Sequence, residues 1–294
     1  MSFFLQPATL AEAVQALAET RGVVLSGGTD FFPTRVDRPI TETVIDISRV
    51  RELKGISIEA ERIVIGGRTT WSEIAGAALP RCFNGLKSAA REVGSIQIQN
   101  FGTVAGNLCN ASPAADSVPP LLTLDAEVHL ASASGTRAMP LADFILGNRK
   151  TARRADEILT SVSVPRRLEN AASSFLKLGA RRYLVISIVM VAVTILNDKR
   201  NGDVNDDRGC VAEARIAVGS CSAVARRLPR LEESLVGASA RPGLGKLATV
   251  DYFGALSPID DVRGTAEYRR DASVTLVQRA IEACVEFPSS AGGA

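Results

Sequence analysis

The sequence predicts an α+β fold built as two successive units, and three observations carry that reading. Short apolar runs with period-two alternation recur between residues 23 and 164. Longer apolar runs follow at 172–178, 185–196 and 211–219, after a polar break. Helical periodicity opens the chain near residue 9 and closes it over 265–286. With 294 residues, 46% of them apolar, the chain can bury a sizeable core and fill two domains.

In chain order, residues 9–12 read as a capping box, and Leu10, Val14 and Leu17 recur on one face until Arg21 and Gly22 end the helix. A strand follows at 23–25. Extended segments are expected at 44–47, 56–58 and 63–65, the last two joined as a hairpin through 59–62. Helices at 71–78 and 82–90 lead into a long loop at 95–116. A second hairpin pairs 126–131 with 136–139 about Ser134-Gly135, and a strand spans 158–164. Residues 166–173 break the apolar pattern and set the boundary. The first domain is residues 1–168, in parts of about 1–55 and 56–168, and the second is 169–288, with 289–294 a disordered tail. In the second, the polar hairpin 197–209 joins two of the three strands, and helices at 228–236 and 265–286 cover one face of an antiparallel sheet, a two-layer α+β arrangement.

Composition excludes several classes. Lys and Arg total 34 against 32 acids, and three Tyr and one Trp offer little for base stacking, so nucleic acid is not an expected partner. The longest apolar run, 184–196, carries Ser187 and Thr194 and is too short for a membrane helix. The first residues lack the basic start and apolar stretch of a signal peptide, which makes the cytoplasm the expected location. Cys82, Cys109, Cys210, Cys221 and Cys284 form no C-x-x-C, and the single histidine, His129, lies in an alternating strand. No metal site is expected on this chain. No nucleophile or paired acids for substrate chemistry stand out either.

Two runs remain: residues 25–30, LSGGTD, and residues 95–116. In both, glycines beside Thr, Ser and Asn free the backbone for positive φ and close approach to a ligand, which suits a phosphate held by several amide N–H groups. A GG-T-D turn also serves as an ordinary strand-to-helix turn. No G-x-G-x-x-G occurs, so the nicotinamide Rossmann fingerprint is absent. The second run gathers Gly102, Thr103, Ala105, Gly106, Asn107, Asn110, Ser112 and Asp116 within fifteen residues.

These two runs are followed in order by FILGNRKTARRADEILTSVSVP, KLGARRYLVISIVMVAV and SPIDDVRGTAEYRR. Together they resemble, nearly end to end, the FAD-binding medium subunit of the xanthine dehydrogenase and carbon monoxide dehydrogenase family of molybdenum hydroxylases. The resemblance implies a two-part FAD-binding domain of the vanillyl-alcohol oxidase-like type, then a smaller C-terminal flavoprotein domain of the carbon monoxide dehydrogenase type. It implies noncovalent FAD that takes electrons from iron-sulfur clusters on a small partner subunit, while a large partner carries the molybdenum cofactor, in a dimer of heterotrimers. An autonomous FAD-dependent oxidase or dehydrogenase is the alternative.

Residue by residue, the resemblance implies that Val24, Leu25, Ser26, Gly27, Gly28, Thr29, Asp30 and Phe31 bind the cofactor. Backbone N–H groups of residues 26–31 would hold the pyrophosphate, with the Thr29 hydroxyl assisting. Thr103, Ala105, Gly106 and Asn107 lie on the other side, Ser112 assists, and Asp116 accepts a hydrogen bond from a cofactor hydroxyl. Leu159 borders the cofactor, and Lys177 approaches the flavin from the second domain, where a positive charge raises its potential. Ordinary readings stand beside these: Asp116 as an Asx turn before Pro119-Pro120, Leu159 as core, and Lys177 as a solvated strand-end cation. Arg149 and Lys150 are second-tier candidates. Ala105, Asn148 and Val185 depart from the commonest family pattern.

Overall fold

Thr9 opens the first helix, α1 (Leu10–Thr20), by accepting a hydrogen bond from the Glu12 amide. The Glu12 carboxylate reaches one residue further back than a capping box requires, to the Ala8 amide at 2.7 Å. Arg21 ends the helix in the left-handed region at φ 48°. The computed structural model describes residues 3–36, 39–198 and 209–286. Residues 199–208 of the expected polar hairpin 197–209, and the tail at 289–294, lie outside those residues.

The chain before and after α1 forms a parallel sheet of β1 (Phe4–Leu5), β2 (Val23–Leu25) and β3 (Val44–Asp46), in the order β1-β3-β2. Ala13, Val14 and Leu17 of α1 pack in one cluster with Ile45. The third strand stops one residue earlier than expected because the Asp46 carboxylate accepts the Ser48 amide at 2.9 Å and opens a helical turn at Ile47–Arg49. The residues after Leu25 leave the carboxyl end of a parallel strand, the usual place for a ligand in such sheets.

An antiparallel sheet follows, built from β4 (Ile56–Ile58) and β5 (Arg62–Gly66) with strands that come later in the chain. Between them run α2 (Trp71–Gly76), α3 (Asn84–Glu92), α4 (Ile96–Phe101), α5 (Val104–Asn110) and α6 (Val118–Thr123). Then come β6 (Glu127–Ser132), β7 (Gly135–Pro140), α7 (Leu141–Phe144), the short pair β8 (Ile145–Gly147) and β9 (Lys150–Thr151), and β10 (Ile158–Pro165). The sheet order is β4-β5-β10-β6-β7. Ile63, Ile65, Trp71, Phe83, Leu108 and Val162 belong to its core. His129 sits in β6, its Nε2 2.8 Å from the Ser163 hydroxyl.

The run at 95–116 corrects the expectation of a long loop, since most of it is α4 and α5 joined at Gly102. Ser95 and Thr103 each cap a helix, accepting from the amides of Ile98 and Gly106. Val104 and Leu108 turn inward one helical turn apart. The density of Gly, Asn and Ser that reads as loop serves instead to start, join and end two short helices.

The rest of the chain forms β11 (Ala172–Leu178), β12 (Val189–Asp198), β13 (Cys210–Gly219) and β14 (Arg226–Arg227), hydrogen-bonded antiparallel in that order. Strand β12 begins four residues later than predicted. Leu184 is left-handed at φ 51°, and the Ile188 amide returns to the Leu178 carbonyl at 2.8 Å, so 179–188 is a connection. Helices α8 (Pro229–Leu235) and α9 (Ala266–Glu286) share a core with Val191, Val193, Ile216 and Val218. The opposite face is covered as well: Phe175, Met190 and Ala192 cluster with Ala89 of α3, and Thr194 bonds Thr123 of α6 at 3.0 Å. Burial on both faces explains why β12 reads as an unbroken apolar run.

Charge also joins the two halves. Asp125 accepts Arg215 and Arg227 at 2.9 Å each and pairs with Arg167, which in turn pairs with Glu213 at 2.7 Å. Among the described residues, no helix is long and apolar enough to cross a membrane, and no group of His, Cys, Asp and Glu gathers to hold a metal.

Candidate functional site

One cavity of about 370 Å³ opens where the carboxyl end of β2 meets the α4–α5 junction and the start of β10. The two small-residue runs meet here, with the Ser26 hydroxyl 3.0 Å from that of Thr103. The α4–α5 junction is pinned from below by the loop after β5: the amides of Val104 and Ala105 donate to the carbonyls of Thr69 and Gly67, at 3.1 and 2.9 Å.

The glycines work differently from the expectation of positive φ. Gly28 alone among the cavity glycines takes it, at φ 72°. Gly27 is required by proximity: a Cβ there would lie 1.9 Å from the carbonyl oxygen of Phe101. At Gly106 an added Cβ would meet only the Thr103 hydroxyl, at 3.0 Å. The amide N–H groups of Gly27, Gly28 and Thr29 donate to no acceptor among the described residues, although all three residues line the cavity. Three successive unpaired donors in a concave loop fit an anionic group.

Of the residues singled out from the sequence, Val24 through Phe31, Thr103, Ala105, Gly106, Asn107 and Leu159 line the cavity. Ser112, Asp116 and Lys177 stand outside that lining, as do Arg149 and Lys150. The Ser112 hydroxyl accepts the Ala114 amide in its own turn. Asp116 is buried, and its two oxygens accept the Lys177 ammonium at 2.7 Å and the Ser187 hydroxyl at 2.6 Å. Burial pushes its carboxyl above the ordinary carboxylate range, and the Lys177 charge opposes that push. Lys177 also reaches the Glu92 carbonyl at 3.3 Å.

The cavity also holds residues that sequence reasoning passed over. Cys109 shares the cavity-lining side of α5 with Ala105, one turn away, as Asn110 of the second run does with Gly106, and the four-residue spacing of a helix would have found Cys109 had the run been read as helical. Burial raises the Cys109 thiol to about 11, against the pull of the Arg153 charge. Trp71, the single tryptophan, is fully buried behind Gly102, where an added Cβ would stand 3.3 Å from its ring. Arg153 and Glu157 lie in a polar stretch with no local signature.

Glu157 is almost fully buried and accepts Arg137 through both oxygens, at 2.6 and 2.8 Å, and the Arg154 amide at 2.7 Å. The Arg137 hydrogen bonds hold its carboxyl below the ordinary value of 4.5. A depressed folded value means stability that is fully present above 4.5 and lost as pH falls through the lower value. Glu157→Gln is therefore expected to cost about 1.5–3 kcal/mol near neutral pH. Denaturant melts should show its deficit against the native chain shrinking in acid, and a deficit that stays constant with pH would remove Glu157 from the acid response.

A parallel three-stranded sheet and a five-stranded antiparallel sheet meet around this cavity, and a second antiparallel sheet packs with two helices. Residues 1–167 match the family described as the FAD binding domain in molybdopterin dehydrogenase, and residues 174–284 match the CO dehydrogenase flavoprotein C-terminal domain. This chain belongs to the molybdopterin dehydrogenase family, that of carbon monoxide and xanthine dehydrogenases, as an FAD-binding medium subunit. It is similar to the nicotinate dehydrogenase FAD-subunit of Eubacterium barkeri, 37% identical over 80% of this chain and 79% of that one. The carbon monoxide dehydrogenase medium chain of Hydrogenophaga pseudoflava is 27% identical over 94% of each. Among solved structures, carbon monoxide dehydrogenase from Hydrogenophaga pseudoflava superposes with a TM-score of 0.85 at 26% identity, over 96% of each chain. Quinoline 2-oxidoreductase from Pseudomonas putida 86 does so at 0.84 and 25% identity, over 97% of each.

Proposed function

We propose that this chain binds one FAD noncovalently and relays electrons to an external acceptor. The electrons arrive from iron-sulfur clusters on a small partner subunit, after a large molybdenum-cofactor subunit has hydroxylated the substrate, in a dimer of heterotrimers. Bound FAD supplies the conversion between two-electron and one-electron transfer. The observation that supports this best is the row of amides at Gly27, Gly28 and Thr29, unpaired among the described residues and belonging to residues that line the cavity beside the Ser26–Thr103 contact.

In this reading those amides take the pyrophosphate, Thr103 and Asn107 approach from α5, and Leu159 closes an apolar wall. Lys177 comes from the second domain and stands outside the cavity lining, held by Asp116 and the Glu92 carbonyl. Ser112 and Asp116 then act around the site, since the hydroxyl and the carboxylate already have protein partners. The domain division at 168/169 and a cytoplasmic location belong to the same proposal. The test is purification of the full chain: about one FAD per chain is expected, released by acid or heat, with no substrate hydroxylation by the chain alone. Flavin that stays attached after denaturation, or a chain that purifies and refolds without affinity for FAD, counts against the proposal.

A further inference from the structure

Among the described residues, Arg153 is the only basic side chain that lines the cavity. It follows β9 and precedes the turn into β10. Its Nη1 donates to the carbonyls of Arg154 at 3.1 Å and Glu157 at 2.7 Å, which fixes the guanidinium against that turn. No carboxylate pairs with it among the described residues. Of the two acids that also line the cavity, Glu157 has both oxygens committed to Arg137, and Asp30 is exposed to water. Arg153 lines the same cavity as Cys109, and its charge pulls that thiol's pKa down against the larger effect of burial.

A guanidinium held by backbone carbonyls and left without a counter-ion in a concave site retains further N–H donors in a planar fork. That geometry suits phosphate oxygens. The amides of residues 27–29 bring donors without net charge, so a diphosphate held by them alone would keep its two negative charges uncompensated. Among the described lining residues, Arg153 is the one cation that could offset part of that charge.

We propose that Arg153 makes this cavity select ligands that carry a phosphate or diphosphate, the chemistry shared by FAD, FMN and ADP, over uncharged flavin. The inference rests on reading the cavity as a flavin dinucleotide site, and it assigns a specificity role to a residue outside the two small-residue runs.

The experiment uses the full chain freed of flavin, with Arg153→Gln and Arg153→Lys variants. Glutamine keeps an N–H donor for the Glu157 carbonyl and loses the charge; lysine keeps the charge. Trp71 reports flavin binding through energy transfer to the ring, and calorimetry reports ADP. Arg153→Gln is expected to weaken FAD and ADP by about tenfold or more, while riboflavin affinity stays within about twofold and Arg153→Lys recovers most of the loss. Added salt should weaken ADP on the native chain more than on Arg153→Gln. Unchanged FAD and ADP affinity in Arg153→Gln, or an equal loss of riboflavin, overturns the role. A native chain that binds ADP in an Arg153-dependent way but binds no flavin overturns the flavin reading and leaves the phosphate role standing.

Discussion

Gly27→Ala is expected to yield a chain without bound flavin, destabilised by about 1–3 kcal/mol or more. The added methyl would stand 1.9 Å from the Phe101 carbonyl oxygen, and that oxygen belongs to backbone at the end of α4, which cannot turn aside as a side chain would. Relief requires the 26–31 loop and the α4–α5 junction to part. Parting them breaks the Ser26–Thr103 contact and disperses the three residues whose unpaired amides stand at the cavity lining. Gly106→Ala is the informative companion, because its methyl meets only a hydroxyl at 3.0 Å and a helical Gly-to-Ala change stabilises by up to about 1 kcal/mol. Flavin-to-protein ratio and denaturant melts measure both variants. Full flavin loading with native stability in Gly27→Ala would show that the two runs are not packed as described.

Lys177→Met and Asp116→Asn are each expected to cost about 3–5 kcal/mol, because each leaves a buried partner without its counterpart. The two side chains are 7% exposed and meet at 2.7 Å across 61 residues of sequence. Their pairing also holds Ser187, just before β12, against the first half of the chain. Replacing both together by apolar residues of similar size should recover much of the loss, since the desolvation of two charges is removed along with their attraction. Chemical denaturation of the two singles and the double, read as a cycle, decides the matter. Singles within about 0.5 kcal/mol of native would mean that the pair is as weak as a surface contact.

Elements with local signatures were the most legible. Thr9 and Arg21 bound α1, and the hairpins through 59–62 and 134–135 follow from alternation on either side of a polar turn. The meeting of the two small-residue runs was legible through their shared composition. Their helical form was not, because a helix of six or seven residues carries too few apolar positions to show a period, although Ser95 and Thr103 stood at the caps. Contacts set by tertiary distance left no trace. Nothing local to Asp116 announces Lys177, nothing local to Glu157 announces Arg137, and Arg153 faces the cavity only because β9 and β10 bring residues 150–159 alongside α5. Gly27 was legible as a glycine position for a different reason from the one that holds: the carbonyl that excludes a side chain there belongs to Phe101.

The burial of the cysteines described above bears on their reactivity. All five are free thiols, and burial raises Cys82, Cys221 and Cys284 to about 12 and Cys109 to about 11. At neutral pH each of these four is thiolate in about one molecule in ten thousand or fewer, and thiolate is the form that oxidants and alkylating agents attack. Desolvation thus acts as a chemical quarantine: sulfur that fills the cores of both halves, and even the wall of the cavity, is withheld from oxidants and alkylating agents in the surrounding solution.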